Sequence, residues 1–338
     1  MTSVALIACA NGFGHIRRIV LLADALTARG VVPTIFAPDV AVKKVVDQYN
    51  LLKRTPTVDV SLYPALDLVE ENFLDKLSSR WLSKLACLSD YRLVISDNLP
   101  EILSIRPDAI LSGNFLWHEV VNTTSTIYTE EMSSLVRKNK PRMINYGMFS
   151  MVNGSGYIDK IRARIPQPHY GPYRPIKRGL LIACGTGGGA ESRFREFLDY
   201  SLSILREAQI RPIFVEPKLM KSSYSPIFEP ATFSRAMYRQ VSCAIIRPGF
   251  GTISDCIHHS IRIFPLCEES NFEMEHNSSV VQALGIGQVS KLLDSLVEEV
   301  VRYLNSSGAQ KDHYRIVKKL QEDQGIDASE YISDIAKL

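Results

Sequence analysis

The stretch LIACANGFGHIRR, Leu6 to Arg18, joins an apolar run, two glycines and the start of a helical pattern. At Leu181 the same four letters return and lead into another glycine turn, LIACGTGGGAESR, Leu181 to Arg193. A continuous apolar run that stops at glycine reads as a strand buried on both faces of a parallel sheet. After the first turn, Ile16, Ile19, Val20, Ala23 and Leu26 fall on one helical face, and Gly30 ends the pattern. Strand, glycine turn and helix make one βα unit. Building that unit twice, half a chain apart, predicts an α/β protein of two doubly wound, Rossmann-like domains.

The remaining apolar segments extend both halves. VVPTIFAP (31–38), YRLVISD (91–97) and DAILSG (108–113) read as strands of the first. GLLIACG (179–185), RPIFVEP (211–217), SCAIIRPG (242–249) and IRIFPLC (261–267) read as strands of the second. From Gly154 to Gly179 the alternation breaks, and Pro166, Pro168, Pro172 and Pro175 exclude both a helix and a central strand. The expected division is therefore an N-terminal domain over 1–165, a proline-rich linker over 166–178, and a C-terminal domain over 179–338. Beyond Lys291 that last domain reads as amphipathic helices.

Composition narrows the class. A chain of 338 residues exceeds one ordinary core and suits two domains. Hydrophobic residues at 46% and charged ones at 22% describe a globular protein. A formal net charge of +3 is too small to point to nucleic acid, whereas a phosphate-bearing ligand needs only a local patch. No apolar run approaches the roughly 20 residues of a membrane span. The start lacks a basic region, so VALIACA reads as a strand and not as a signal peptide. Peripheral membrane contact stays open. The six cysteines form no CxxC pair and most sit in strand-like context, as buried thiols do in a reducing compartment. The expected location is the cytoplasm, with neither a metal site nor a disulfide framework.

The chemistry concentrates between Arg247 and Gly287. Strand SCAIIR runs into Pro248-Gly249-Phe250-Gly251, and Thr252 is placed to cap a helix from Ile253. Such a turn offers backbone N–H groups and a positive helix end to an anion, with Arg247 and Thr252 adding donors. Asp255, one turn inside, is placed to accept two neighbouring hydroxyls such as those of a ribose. Glu273 and Asn277, four apart, share a helix face suited to a polyol. Taken singly these residues also fit a glycine turn, a capped helix and a solvated acidic face; their order together points to a ligand.

That ordered stretch resembles the donor-binding half of the GT-B nucleotide-sugar glycosyltransferases, including the bacterial enzyme that adds N-acetylglucosamine to lipid-linked peptidoglycan precursor. Arg247, Gly249, Thr252 and Asp255 match the first part of the family pattern, and Pro265, Glu273 and Asn277 the second. Two positions depart from it: Asp255 stands where glutamate is usual, and Met274 replaces a glutamine. The first turn, NGFGHIRR, resembles the same superfamily, which carries a Gly-His there. Its variant Gly-Phe-Gly-His-Ile-x-Arg is similar to the nucleotide-sugar hydrolase of the pseudaminic acid pathway. The resemblance implies two Rossmann-like domains facing across a cleft, and an inverting, metal-independent transfer from a nucleotide sugar, UDP-linked in the first instance. It implies His15 as the base on an acceptor hydroxyl, a role suited to a neutral imidazole. Asp97, which ends the LVISD strand, is the candidate to orient that ring; it also fits a helix N-cap before LPEIL. Gly12, Gly14, Arg18 and Trp117 fall on the acceptor side, with Gly113 and His118 beside them. Gly185, Thr186 and Gly187 would hold the diphosphate through backbone N–H groups.

Several rivals remain. Gly185, Gly187 and Ala190 satisfy a short dinucleotide fingerprint, with Glu216 ending the next strand, but a dehydrogenase leaves Arg247 to Asn277 unexplained. No glycine turn precedes Lys-Ser or Lys-Thr, and no Asp-x-Asp occurs. The expected partners are a nucleotide-sugar donor and an acceptor of unknown class, without a cofactor and without nucleic acid. A hydrolase that uses water as acceptor is the nearer alternative, and a noncatalytic nucleotide-sugar binder the next.

Overall fold

The computed structural model describes residues 3–49, 51, 55–64, 81, 84–120, 126–151, 156–164, 178–185, 189–221, 227–267, 271–322 and 325–337. The chain forms two compact units, Met1–Pro168 together with Gln324–Leu338, and His169–Asp323. The expected proline-rich linker lies almost wholly outside the described residues.

The first unit begins with β1 (Ser3–Ala8), α1 (Phe13–Ala28), β2 (Val32–Ala37), α2 (Asp39–Tyr49) and β3 (Thr57–Asp59). It continues with β4 (Leu93–Asp97), β5 (Ile110–Ser112), α3 (Trp117–Val120), α4 (Thr126–Asn139), β6 (Arg142–Asn145) and β7 (Asp159–Arg164). The second unit comprises β8 (Gly179–Ala183), α5 (Glu191–Glu207), β9 (Ile213–Val215), β10 (Glu229–Pro230), α6 (Arg235–Tyr238), β11 (Val241–Ile246), α7 (Phe250–His258), β12 (Arg262–Pro265), α8 (Phe272–Ala283), α9 (Leu293–Leu304) and α10 (Ser307–Glu322). A last strand and helix follow, β13 (Ile326–Asp327) and α11 (Ala328–Lys337).

Both sheets are parallel and share one topology. The first runs β13-β7-β6-β5-β4-β1-β2-β3 and the second β10-β9-β8-β11-β12. Each grows outward in both directions from its opening strand, the doubly wound order that the repeated strand-turn-helix stretches predict. The opening strands are central because they are apolar on both faces: Val4 to Ala8 and Leu180 to Ile182 have no exposure. Behind β1 and β4, one core gathers Ala5, Ile7, Val94, Leu111, Tyr128 and Met132; in the second unit Leu180, Ile182, Phe194, Phe197, Cys243 and Leu296 form another.

The structure departs from the sequence reading in two places. β7 lies inside the stretch where the alternation breaks, because its residues DKIRAR are mostly exposed and charged and carry no apolar signature. The C-terminal segment joins the first unit and not the second: β13 pairs in parallel with β7, and α11 packs on α1. Arg29 Nε donates to Ser329 Oγ at 3.0 Å and Arg142 Nη1 to Tyr331 Oη at 3.3 Å. An amphipathic helix announces that one face is buried, but not against which sheet.

Ala328, Ile332 and Ala336 form the fully buried stripe of α11. Truncating Ile332→Ala should cost about 2–5 kcal/mol. Both tryptophans, Trp81 and Trp117, belong to the first unit, so their fluorescence reports its unfolding. The fluorescence-detected denaturant midpoint should fall; an unchanged midpoint would detach α11 from this unit.

Candidate active site

In open α/β sheets, ligands bind beyond the carboxyl ends of the strands, where the strand order reverses. The first reversal lies between β1 and β4, with Ala8 in register with Asp97. The chain leaves β1 through Cys9 to Asn11 and turns at Gly12, whose φ of 104° strains any residue with a Cβ. Gly12 is the N-cap of α1, which places His15 and Arg18 one turn apart on the same helix face. Beside them, a Cβ at Gly14 would meet no atom within 4 Å, which leaves open room next to the histidine.

Asp97 has no exposure and is the centre of this cluster. His15 Nδ1 lies 2.9 Å from its Oδ1. Arg18 closes on both oxygens, Nε to Oδ2 at 2.9 Å and Nη2 to Oδ1 at 2.7 Å. The same Nη2 is 2.8 Å from His15 Nδ1. Burial alone would raise the Asp97 carboxyl; the Arg18 guanidinium and the hydrogen bonds from His15 and Arg18 outweigh it and hold the group below its ordinary value. Arg18, expected on the acceptor side, is thus buried at 5% exposure and turned onto Asp97.

Aromatic rings surround the imidazole. Trp117 is 5.9 Å from it and Phe115 meets it edge-on at 6.3 Å. His118, next along, is buried and its imidazole is pushed down to about 4 by desolvation. Two groups here escaped the sequence reading. Tyr146, after β6, lies under the Arg18 guanidinium at 5.8 Å and shares a 3.0 Å hydrogen bond with Ser112. Asn98, fully buried with a φ of 56°, packs its amide where a Cβ on Gly113 would sit. Neither carries a sequence signal, since β6 is too short to show periodicity and Asn98 is read only as the residue after a strand.

The second reversal lies between β8 and β11, with Ala183 in register with Ile246. Gly185, at φ 68°, donates its N–H to Glu216 Oε2 at 2.8 Å. Lys218 Nζ donates to the Gly185 carbonyl and stands 4.0 Å from Glu216 Oε1. The amide expected to meet a diphosphate therefore already meets an anionic oxygen of the protein itself. Glu216, which a dinucleotide reading needs on a ribose, is engaged there. Thr186 and Gly187 lie outside the described residues.

Across this rim α7 begins three residues earlier than expected. Gly249 is its N-cap, with no side chain of its own to cap it, and Phe250 is its first residue. Thr252 sits inside the first turn with Gly251, both half-buried, and does not cap the helix. A helix starts earlier here because the Gly249 carbonyl already accepts from Ile253 N–H at 3.1 Å. Half-buried Arg247 precedes it at the end of β11. Asn277 does not face solvent beside Glu273: it is buried, and its Nδ2 donates to the Pro248 carbonyl at 2.8 Å, pinning the turn to α8. Glu273, one turn earlier, is half-buried, while Met274 is core. Asp255 is also buried and accepts the Tyr238 hydroxyl on Oδ2 at 3.3 Å. Tyr238 in turn stacks on His259 with ring centroids 4.7 Å apart.

Because the Asp97 carboxyl lies below its unfolded value, its contribution is complete above about pH 4, the ordinary carboxylate value. It is lost as pH falls through the lower native value. Asp97→Asn should therefore remove part of the acid dependence of stability below about pH 4, read as a flatter denaturant-midpoint curve against pH. An undiminished acid limb would show that the carboxylate does not titrate with folding.

No family model matches the chain, and no curated protein matches it in sequence. Solved structures match it over its whole length. LpCGTa, solved in complex with UDP, is similar at a TM-score of 0.66 and 13% identity, covering 99% of this chain and 98% of that one. The Streptomyces sp. SF2575 glycosyltransferase SsfS6, complexed with thymidine diphosphate, is similar at 0.60 and 14% identity, with 100% and 99% coverage. Arabidopsis thaliana UGT89C1, complexed with quercetin, is similar at 0.66 and 11% identity, with 99% of each chain covered. At such identities the likeness speaks for the fold, and the chain has the GT-B fold of two Rossmann-like α/β units.

Proposed function

We propose that this protein is an inverting glycosyltransferase that moves a sugar from a nucleotide sugar to an acceptor hydroxyl. The observation that carries the reading is the hydrogen bond between His15 and a fully buried Asp97 at a strand-order reversal, in a chain whose whole length matches solved glycosyltransferases. His15 takes the proton of the acceptor hydroxyl, and the freed oxygen attacks the anomeric carbon from the face opposite the leaving diphosphate. The bond to the diphosphate breaks as the new glycosidic bond forms, so the anomeric configuration inverts. Trp117 and Phe115 give the acceptor an apolar wall beside the base.

The donor belongs to the second unit. A helix start with glycine at its N-cap, Gly249, and Arg247 before it suits a diphosphate through backbone amides and the positive helix end. Charge growing on the leaving group is stabilised there. In this reading Asp255 and Glu273 accept from ribose and sugar hydroxyls, while Asn277 holds the turn at Pro248. Similar folds are solved with UDP and with thymidine diphosphate, which makes these two series the first donors to test. The sequence has no Asp-x-Asp, and the reading includes no metal.

A thermal-shift screen of UDP, dTDP, GDP, CDP, CMP and NAD tests the donor site. A ligand at a hundred times its Kd stabilises the fold by about 2.7 kcal/mol. One nucleoside diphosphate should stand out; NAD alone standing out would favour the dinucleotide reading. With a donor in hand, His15→Ala should abolish turnover and leave diphosphate affinity nearly intact. Turnover should persist in EDTA, and NMR of the product should show the inverted anomer.

A further inference from the structure

We propose that Arg18 is a positioning residue that takes up the charge of Asp97, so that His15 keeps its hydrogen-bonding partner without facing a full ion pair. The inference rests on the reading of His15 as the base and concerns how that base is held ready.

The geometry supplies the argument. A guanidinium has donors only, and a neutral imidazole nitrogen has one in-plane site. At Nδ1 two partners compete for that site, Asp97 Oδ1 at 2.9 Å and Arg18 Nη2 at 2.8 Å. A proton on Nδ1 serves the carboxylate and meets the cation head-on; a lone pair there serves the cation and meets the carboxylate. A buried carboxylate acting alone would stabilise a doubly protonated ring, which cannot accept another proton. Here a permanent cation grips both oxygens of that carboxylate and lies as near to the ring as the carboxylate does. Opposite unit charges at equal distances largely cancel.

Among the described residues, the other titratable groups near this cluster include Cys9, Tyr146, Glu101 and Arg17, and Arg17 turns its guanidinium onto Tyr49. Past the end of β1, burial pushes the Cys9 thiol up to about 12, and beyond β6 burial pushes the Tyr146 phenol up to about 12, so both stay neutral. Phe115, between β5 and α3, and Trp117, which opens α3, carry no charge. Glu101, on the turn after β4, accepts the Tyr128 hydroxyl at 3.0 Å.

The test follows the His15 ring-proton resonance by NMR against pH, with the signal assigned through His15→Gln. In Arg18→Met the midpoint should rise by about one pH unit or more, because the carboxylate is left unopposed. Arg18→Lys retains the charge and should stay near the wild-type midpoint. Asp97→Asn should lower it, and the double variant Arg18→Met with Asp97→Asn should return towards wild type. A folded Arg18→Met with an unmoved midpoint overturns the proposal. Should Arg18→Met fail to fold, the double variant leaves no buried charge unpaired and decides alone: a midpoint above that of Asp97→Asn supports the proposal, and an equal midpoint overturns it. The readout needs no turnover. Retained activity in His15→Ala would remove the base reading and leave this result standing.

Discussion

A carboxylate without any solvent exposure, Asp97, closes the strand next to the opening strand of the first sheet. Desolvation disfavours such a charge, and only close donors offset it. Both of its partners, His15 and Arg18, come from one turn of α1. The helix can deliver them because Gly12 lets the chain turn sharply after β1 and start α1 at Phe13. Turn, helix start and strand end are therefore one unit: moving any of them would leave a buried charge exposed to an apolar interior.

The second unit repeats the topology and changes the chemistry. Its strand order is that of β3-β2-β1-β4-β5 in the first unit, yet among the described residues its rim carries no histidine-aspartate pair. Instead the rim is built from backbone groups held by side chains. Glu216 and Lys218 fix the amide and carbonyl of Gly185, and Asn277 fixes the carbonyl of Pro248 at the mouth of α7. These side chains tie down a glycine-rich backbone at the ends of β8 and β11. The same turn therefore recurs with different neighbours: a buried carboxylate and its donors at one rim, side chains fixing backbone groups at the other.

Several residues named for ligand contact already have partners within the protein. Arg18 faces Asp97, Asn277 faces Pro248, and one oxygen of Asp255 faces Tyr238. Long polar side chains beside a buried backbone or carboxylate tend to satisfy it first, since a buried unpaired group is more costly than a solvated one. Sequence spacing registers that such a residue is near the site and not which way it points.

Sequence alone determined the two α/β halves, their central strands, the first turn with His15 and the second with Gly249, because apolar runs and glycines leave a local signature. It also marked Asp97 as the end of a strand at the same rim. Short or charged strands such as β6, β7 and β13 have no such signature, and the start of α7 was misread because glycine at an N-cap leaves no side-chain signal. Only the tertiary structure decided that the C-terminal helix returns to the first unit and that Arg18, His15 and Asp97 converge. Both outcomes depend on contacts between residues far apart in the chain, where burial and charge pairing, not local propensity, choose the partner.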